Sequence, residues 1–222
     1  MTDTDTGRTT AASPTESGRR RVVVASFLTL DGYMVGPDED MSWVADDFDP
    51  QMHDDVARDM DALYDVFVLG RVTYEIFAAY WPHAEAYDPG DEVKPAEGKE
   101  DRRIIRALND RPKVVFSTTL GAPGWAGTRV VAGGVEDEIR RLTAEPGRAV
   151  GVQGSASIVQ ALAEADLVDE YRLYLHPVLL GAGKRLFREG GIDRHDFRLA
   201  GLTRYDNGVI ATIHQRTDER PR

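Results

Sequence analysis

The sequence predicts an α/β domain, a mostly parallel mixed sheet with helices on both faces and an antiparallel hairpin at its C-terminal end. Strand-like and helix-like segments alternate along the chain from Arg21 onward, the pattern of crossovers between parallel strands. The last two strand-like segments then follow one another with no helix between them, as antiparallel edge strands do. Residues 21–216 contain no linker-like stretch and no repeat at a period of about 20–50 residues, so they read as one domain.

Taken in order, residues 1–20 (MTDTDTGRTTAASPTESGRR) bury too little to repay ordering and read as a disordered tail, with residues 217–222 a flexible C-terminus. Residues 22–30 (VVVASFLTL) form a β-branched run that ends on the turn signal Asp31-Gly32. Asp49-Pro50 reads as an N-cap with Pro at the first helical position, and Met52, Val56, Met60 and Leu63 follow at helical spacing. Residues 66–69 are a short buried strand, after which Gly70-Arg71-Val72-Thr73 turns into a helix containing Tyr74, Ile76 and Phe77. Residues 81–100, rich in Pro, Gly and charge, read as a long surface loop.

Beyond it come a helix at 101–108, a strand at 113–117, a Gly- and Pro-containing loop at 120–127 and a strand at 129–132. A helix at 135–144, a strand at 149–153 and a helix at 155–165 continue the alternation. Residues 169–178 form a long strand that sets Tyr171, Leu173 and Leu175 against Arg172, Tyr174 and His176. Residues 196–202 and 209–215 make the closing hairpin.

Composition excludes several chemistries. With no cysteine there are no disulfides, thiolate zinc sites or Cys nucleophiles. His53, His83, His176, His195 and His214 lack ligand spacing, so no metal is expected. No G-x-S-x-G elbow supports a hydrolase. The net charge of −11 lies in one place: residues 31–65 hold twelve acidic residues against Arg58, while the remainder of the chain balances. Without a net basic region, nucleic-acid binding is not expected. Nor is there a secretory signal or an apolar stretch of membrane-spanning length, which gives the expectation of a soluble, cytoplasmic protein.

Three strand ends carry residues suited to an anion. Gly70, Arg71 and Thr73 stand where a buried strand runs into a helix start, whose free N–H groups and dipole favour phosphate. Gln153, Gly154, Ser155 and Ala156 make a second strand–helix turn with small residues, although it matches neither the dinucleotide fingerprint nor a P-loop. Ser117 and Thr118 end a third strand, at the edge of the sheet where α/β proteins bind ligands. Each alone is equally an ordinary capped helix or loop, but all three would open on the same edge. A fourth group, Asp31, Trp43, Asp46, Asp47 and Asp49, combines carboxylates with an aromatic ring. Such a carboxylate in a partly apolar pocket suits hydrogen bonding to a heterocycle.

Together these segments resemble the dihydrofolate reductase-like superfamily, in particular the branch containing the reductase domain of the bifunctional riboflavin-biosynthesis deaminase–reductase. The resemblance runs from about Val22 to Gln215 and rests on several strings. These are Leu-Asp-Gly at 30–32, Leu-Gly-Arg-Val-Thr-Tyr-Glu at 69–75, Val-Val-Phe-Ser-Thr at 114–118 and Val-Gln-Gly-Ser-Ala at 152–156. Leu-Val-Asp-Glu-Tyr at 167–171 then leads into Pro-Val-Leu-Leu-Gly-Ala-Gly-Lys-Arg-Leu-Phe at 177–187, the most specific of them. The resemblance implies a three-layer fold, NADPH as cofactor, hydride transfer to a bound heterocycle or sugar-like carbonyl, and a homodimer in contact through the 169–178 strand. It implies that Gly70, Arg71 and Thr73 grip the adenosine phosphate and diphosphate and that Ser117 and Thr118 meet the 2′-phosphate. Gly154, Ser155 and Ala156 would form the diphosphate turn. Gln153 departs from the family's paired glycines at that turn and crowds the nicotinamide side. On the substrate side the resemblance points to Asp31 and Trp43, with Asp47 or Asp49 as the pocket carboxylate.

The expected function is therefore NADPH-dependent reduction of a small molecule, of the 5-amino-6-(5-phosphoribosylamino)uracil reductase type. The acidic block argues against folate and against a phosphorylated substrate. Two alternatives stand beside it: a catalytically degenerate ligand-binding member of the same fold, favoured by Gln153, and an acidic surface that binds a partner protein.

Overall fold

The nine residues Arg21–Thr29 form β1, the strand at the centre of the fold. A computed structural model describes residues 18–45, 49–87, 99–190 and 192–217. After β1 come β2 (Tyr33–Val35), α1 (Ser42–Ala45), α2 (Pro50–Leu63), β3 (Val66–Gly70) and α3 (Arg71–Tyr80). Then follow β4 (Glu85–Tyr87), β5 (Lys99–Asp101), α4 (Arg102–Asp110), β6 (Lys113–Phe116), β7 (Thr128–Val131) and α5 (Val135–Ala144). The chain finishes with β8 (Ala149–Val152), α6 (Ala156–Glu164), β9 (Glu170–His176), β10 (Lys184–Arg185), β11 (Phe197–Arg204) and β12 (Ile210–Arg216).

Eight strands form one sheet in the order β11-β12-β9-β1-β8-β3-β6-β7. Neighbours from β9 to β7 run parallel, and β12 and β11 join antiparallel at the edge. Parallel strands need crossovers, and these put helices on both faces. On one face Val23, Phe67, Leu69 and Val115 pack with residues of α2 and α4. On the other, Val22, Val24, Val68, Val150 and Val152 pack with Ile139 and Leu142 of α5 and with Ile158, Val159 and Leu162 of α6. The three-layer expectation holds.

Local chemistry explains the main boundaries. Asp49 caps α2, its carboxylate accepting the Met52 amide hydrogen at 2.9 Å, with Pro50 at the first position. Met52, Ala57, Met60 and Leu63 bury one side of that helix. Asp101 caps α4 in the same way through the Arg103 amide at 2.7 Å. Lys113 at the start of β6 is fully buried, donating to the carbonyls of Leu108, Asn109 and Arg111, with its ammonium 4.4 Å from the Trp125 ring centroid. It thus completes the C-terminal end of α4, and burial pushes its pKa down to about 8.

The structure adds elements that the sequence pattern does not show. The surface loop expected at 81–100 contains β4 and β5, which pair in parallel, and β10 pairs antiparallel with β2. Residues 88–98 of that loop lie outside the described residues, as do residues 1–17 of the expected tail. Residues 18–20, grouped with the tail, are instead tied to the domain: Arg19 bridges to Pro146, and Arg20 pairs with Glu145 at 2.8 Å. Among the described residues no helix is long and apolar enough to cross a membrane.

Candidate functional site

Because β1, β3, β6 and β8 are parallel, their carboxyl ends share one edge, and a cleft of about 1130 Å³ opens there. It brings together residues that the sequence placed on three separate strand ends. Gly70, Arg71 and Thr73, Ser117 and Thr118, and Gln153, Gly154, Ser155 and Ala156 all line it.

The two strand–helix turns are built against each other. The Gly70 amide donates to the Gly154 carbonyl at 3.0 Å, and the Gln153 amide donates to the Val68 carbonyl at 3.2 Å. A Cβ on Gly70 would stand 2.5 Å from Ser155 Oγ and 2.9 Å from Ser155 Cβ, so only glycine admits this approach. Gly154 has φ +105°, a conformation that favours glycine, and its peptide to Ser155 is cis. Neither α3 nor α6 has a side-chain cap at its N-terminus. Their first-turn N–H groups are left for another acceptor, as an anion site requires. Ser155 Oγ instead bonds Ser157 Oγ at 2.9 Å.

Arg71 pairs with Glu75 one turn on, at 2.7 Å, and remains 43 % exposed, so the guanidinium is free to turn to a ligand at small cost. Ser117 Oγ accepts the amide hydrogens of Thr119 and Leu120 at 3.1 and 2.9 Å, which shapes the loop and leaves the hydroxyl hydrogen to donate. Gln153 lines the cleft, and its buried Nε2 has no hydrogen-bond partner.

On the other side of the cleft the expected residues are not the ones that line it. Asp31 closes the turn after β1, accepting from the Thr29 hydroxyl at 2.6 Å and the Gly181 and Leu180 amides at 2.7 and 3.4 Å. The Thr29 bond first, and the two amides after it, hold its carboxyl below the ordinary value against a desolvation effect that raises it. Asp31 therefore ties the 180–181 loop to β1 and stands outside the cleft lining. Asp49 likewise has both oxygens engaged, by the Met52 amide and by the Asp206 amide at 3.0 Å, and it is 5 % exposed. It is a helix cap and loop anchor, not a pocket carboxylate. Trp43 turns inward from the single turn α1 to pack edge-on against His176, with ring centroids 5.1 Å apart, while Met41 and Val44 face the cleft. Asp47, like Asp46, lies outside the described residues.

Asp59 of α2 and Arg172 of β9 line this half instead, amid Phe27, Val56, Met60, Tyr64 and Tyr174, and the cleft lining also carries the more exposed Glu39, Lys184, Arg185, Arg188 and Glu189. The Arg172 guanidinium bonds the Asp59 carboxylate through Nη1 and Glu170 through Nε at 2.6 Å. Glu170, fully buried, also accepts from Arg21 and Gln215, each at 2.9 Å. Burial raises the pKa of Asp59 above the ordinary carboxyl value, with Arg172 offsetting only part of it. For Glu170 burial also pushes upward, but Arg172, Arg21 and Gln215 outweigh it and hold the pKa below the usual range. Sequence signals for both existed. Asp59 interrupts the apolar stripe three residues after Val56, and Arg172 lies on the polar side of the alternation in β9.

The acidic block also reads differently in three dimensions. Asp54, Asp61 and Asp65 pair with Arg103, with Arg106 and Arg111, and with Arg148 and Arg20 respectively. Asp55 pairs with Arg58 and Glu39 with Lys184. Arginines, most of them distant in sequence, thus offset the carboxylates of residues 54–65, so the acidity of that helical part weighs less against an anionic substrate.

A family model described as the RibD C-terminal domain matches residues 20–211. The chain is 26 % identical over 196 residues to the uncharacterized protein YyaP of Bacillus subtilis (strain 168), covering 88 % of this chain and 95 % of that one. In structure it is similar to a diaminohydroxyphosphoribosylaminopyrimidine deaminase/5-amino-6-(5-phosphoribosylamino)uracil reductase of Thermotoga maritima, with TM-score 0.59 and 16 % identity over 90 % of this chain and 57 % of that longer one. It is similar also to the dihydrofolate reductase of Enterococcus faecalis complexed with NADP(H), with TM-score 0.54 and 11 % identity over 89 % and 97 % of the two chains.

Proposed function

From the premise that the chain belongs to the RibD C-terminal domain family, we propose that it is an NADPH-dependent reductase of a small heterocycle or carbonyl compound. The convergence of the three strand ends on one cleft carries this reading. Two uncapped helix N-termini, Arg71 and the Ser117 hydroxyl all face that cleft, which suits the several phosphates of a dinucleotide. At about 1130 Å³ the cleft exceeds the roughly 300–1,000 Å³ usual for one small ligand, leaving room for a cofactor and a substrate together. The Gly70–Gly154 contact lets a diphosphate approach the backbone closely. NADPH, when bound, supplies the hydride. Arg71, Thr73, Ser117 and Thr118 hold its phosphates, and Gly154, Ser155 and Ala156 form the turn beneath the diphosphate. The 25–27 segment of β1, Asp59, Arg172 and Tyr174 hold the substrate and orient it. With the carboxylates of residues 54–65 offset by arginines, phosphorylated pyrimidines of the riboflavin-precursor type return as candidate substrates.

Titration of the purified protein with NADPH and with NADH tests the reading. Saturable binding with preference for NADPH supports it, and no binding of either at millimolar concentration overturns it. Gln153 favours a second reading, a ligand-binding member that has lost reductase activity, because its side chain occupies the turn where the family has glycine. A Gln153→Gly variant that gains NADPH affinity would support that reading.

The proposal includes a cytoplasmic location and a homodimer. Tyr171, Leu173 and Leu175 of β9 share a sheet face with Leu199, Leu202 and Ile210 of the hairpin. On that face Leu199 and Leu202 are 56 % and 52 % exposed. A second copy covering them would remove an apolar surface that a monomer rarely keeps. Light scattering should give a dimer for the wild type and a monomer for Leu199→Asp/Leu202→Asp.

A further inference from the structure

The segment after β9 brings three cations to the cleft wall, Lys184, Arg185 and Arg188. Lys184 pairs with Glu39, and Arg188 pairs with Glu164 at 3.5 Å while its Nε donates to Gln160 Oε1 at 2.7 Å. Arg185 has no carboxylate partner among the described residues, yet its guanidinium is held in place. It lies over the Tyr33 ring, 4.6 Å from the centroid, with Nη2 3.4 Å from the Tyr33 hydroxyl. Tyr33 is itself buried, and its hydroxyl donates to the Gly181 carbonyl at 3.2 Å. The backbone beneath Arg185 is fixed as well. Arg185 pairs with Tyr33 across β10 and β2, the Leu186 amide donates to the Gly32 carbonyl at 3.1 Å, and the Arg185 carbonyl accepts from Gln160 Nε2 at 2.8 Å. Arg185 is exposed, so a ligand in the cleft reaches the guanidinium without displacing a counter-ion.

A fixed, exposed and unpaired guanidinium suits an oxyanion, because its fork matches two oxygens and little freedom is lost on binding. The order of the strands points to which oxyanion. Along the edge of the sheet β1, β8, β3 and β6 follow in turn. Arg185 stands at the β1 end through its pairing with β2, and the uncapped first turn of α6 follows β8. Arg71 follows β3, and Ser117 and Thr118 follow β6. Gln160, which anchors Arg185, lies about one turn beyond Ala156, so the segment is tied to α6 close to its N-terminus. A dinucleotide laid along that edge with its 2′-phosphate at Ser117 and its adenosine 5′-phosphate at Arg71 places its other phosphate at α6. We infer that Arg185 is a second cation of the diphosphate site, holding the phosphate on the nicotinamide side against the α6 N-terminus, while Arg71 holds the adenosine side. A diphosphate bridge carries two negative charges, and Arg71, already shared with Glu75, answers at most one of them.

This inference rests on the cleft being the NADPH site, and its test separates the two claims. Isothermal titration of the full chain uses NADPH, reduced nicotinamide mononucleotide, adenosine 2′,5′-bisphosphate, ribose 5-phosphate and inorganic pyrophosphate. Arg185→Ala should weaken NADPH and the mononucleotide by about tenfold each, the loss of one charge-assisted contact, and leave the bisphosphate unchanged. Arg71→Ala should weaken NADPH and the bisphosphate and leave the mononucleotide unchanged. A thermal melt shows that the variants are folded. If Arg185→Ala is not, Arg185→Gln, which keeps the stem beside Tyr33, takes its place with the same expectation. NADPH affinity unchanged in the folded variant, or the mononucleotide and the bisphosphate weakened alike, overturns the inference and leaves the reductase reading standing. NADPH unchanged with ribose 5-phosphate weakened also overturns it, and gives Arg185 to a substrate anion. Pyrophosphate binding that Arg185→Ala abolishes, in a chain that binds no NADPH, keeps the diphosphate site and overturns the reductase reading.

Discussion

Gly70→Ala isolates the contact on which the cofactor side of the cleft is built. Gly70 has φ −80° and ψ 164°, which alanine adopts freely, so the substitution introduces no backbone strain. The added methyl would stand 2.5 Å from Ser155 Oγ, 2.9 Å from Ser155 Cβ and 3.2 Å from Ser155 N. The hydroxyl can rotate away, but Cβ and the backbone nitrogen cannot, so the two turns must part. Overpacking of this kind costs about 1–3 kcal/mol. In a chain of this size that is a fall in Tm of about 2–12 °C. Adding Ser155→Gly removes the two nearer atoms and should restore most of the Tm. NADPH affinity should fall in Gly70→Ala, because the N-termini of α3 and α6 no longer converge as before. Thermal denaturation and NADPH titration of the two single variants and the double variant check this. A Gly70→Ala protein that melts with the wild type, or a double variant no better than the single, would refute the reasoning.

Three further outcomes follow from the structure. Asp49→Ala removes a helix cap and the part-buried bond from the Asp206 amide, costing roughly 1–3 kcal/mol in urea denaturation; an unchanged midpoint with lost ligand binding would instead make Asp49 a pocket carboxylate. Lys113 has its pKa lowered by burial from 10.5 to about 8, so between those values the unfolded chain holds more protons and stability rises with pH. The wild type should therefore gain on Lys113→Met as pH is raised from below 8 toward 10, and parallel pH profiles would contradict the burial of that ammonium. Asp31→Ala should release the 180–181 loop from β1 while NADPH affinity stays unchanged, read by amide hydrogen exchange at Gly181; loss of cofactor affinity would return Asp31 to the cleft.

Most of the fold could be read from the sequence because its strands are strong β-branched runs, α2 begins at a recognisable cap and α3 and α6 follow glycine-containing turns. Asp49-Pro50, the Gly70 turn and the Gly154 turn are local signals, and local signals survive folding. The pairings of β2 with β10 and of β4 with β5 were not legible, since two- and three-residue strands have no periodicity and exist only through partners distant in sequence. The cofactor side of the cleft was legible for a topological reason. Parallel strands must end on one edge, so three separate strand ends imply a shared site. The substrate side was not, because a carboxylate's role depends on what reaches it. Asp31 and Asp49 were equally plausible pocket residues until the Gly181 and Asp206 amides, more than a hundred residues away, were found on them. The charge count failed for the same reason, since the arginines that neutralise residues 54–65 come mostly from positions 103–172.

The most direct measurement is an amide chemical-shift map of the isotopically labelled protein titrated with NADPH. Binding in the cleft predicts saturable shifts centred on residues 70–73, 117–119 and 153–157, with the face formed by Leu199 and Leu202 unaffected. Shifts centred elsewhere, or none at millimolar cofactor, would contradict the assignment of this cleft to a nicotinamide dinucleotide.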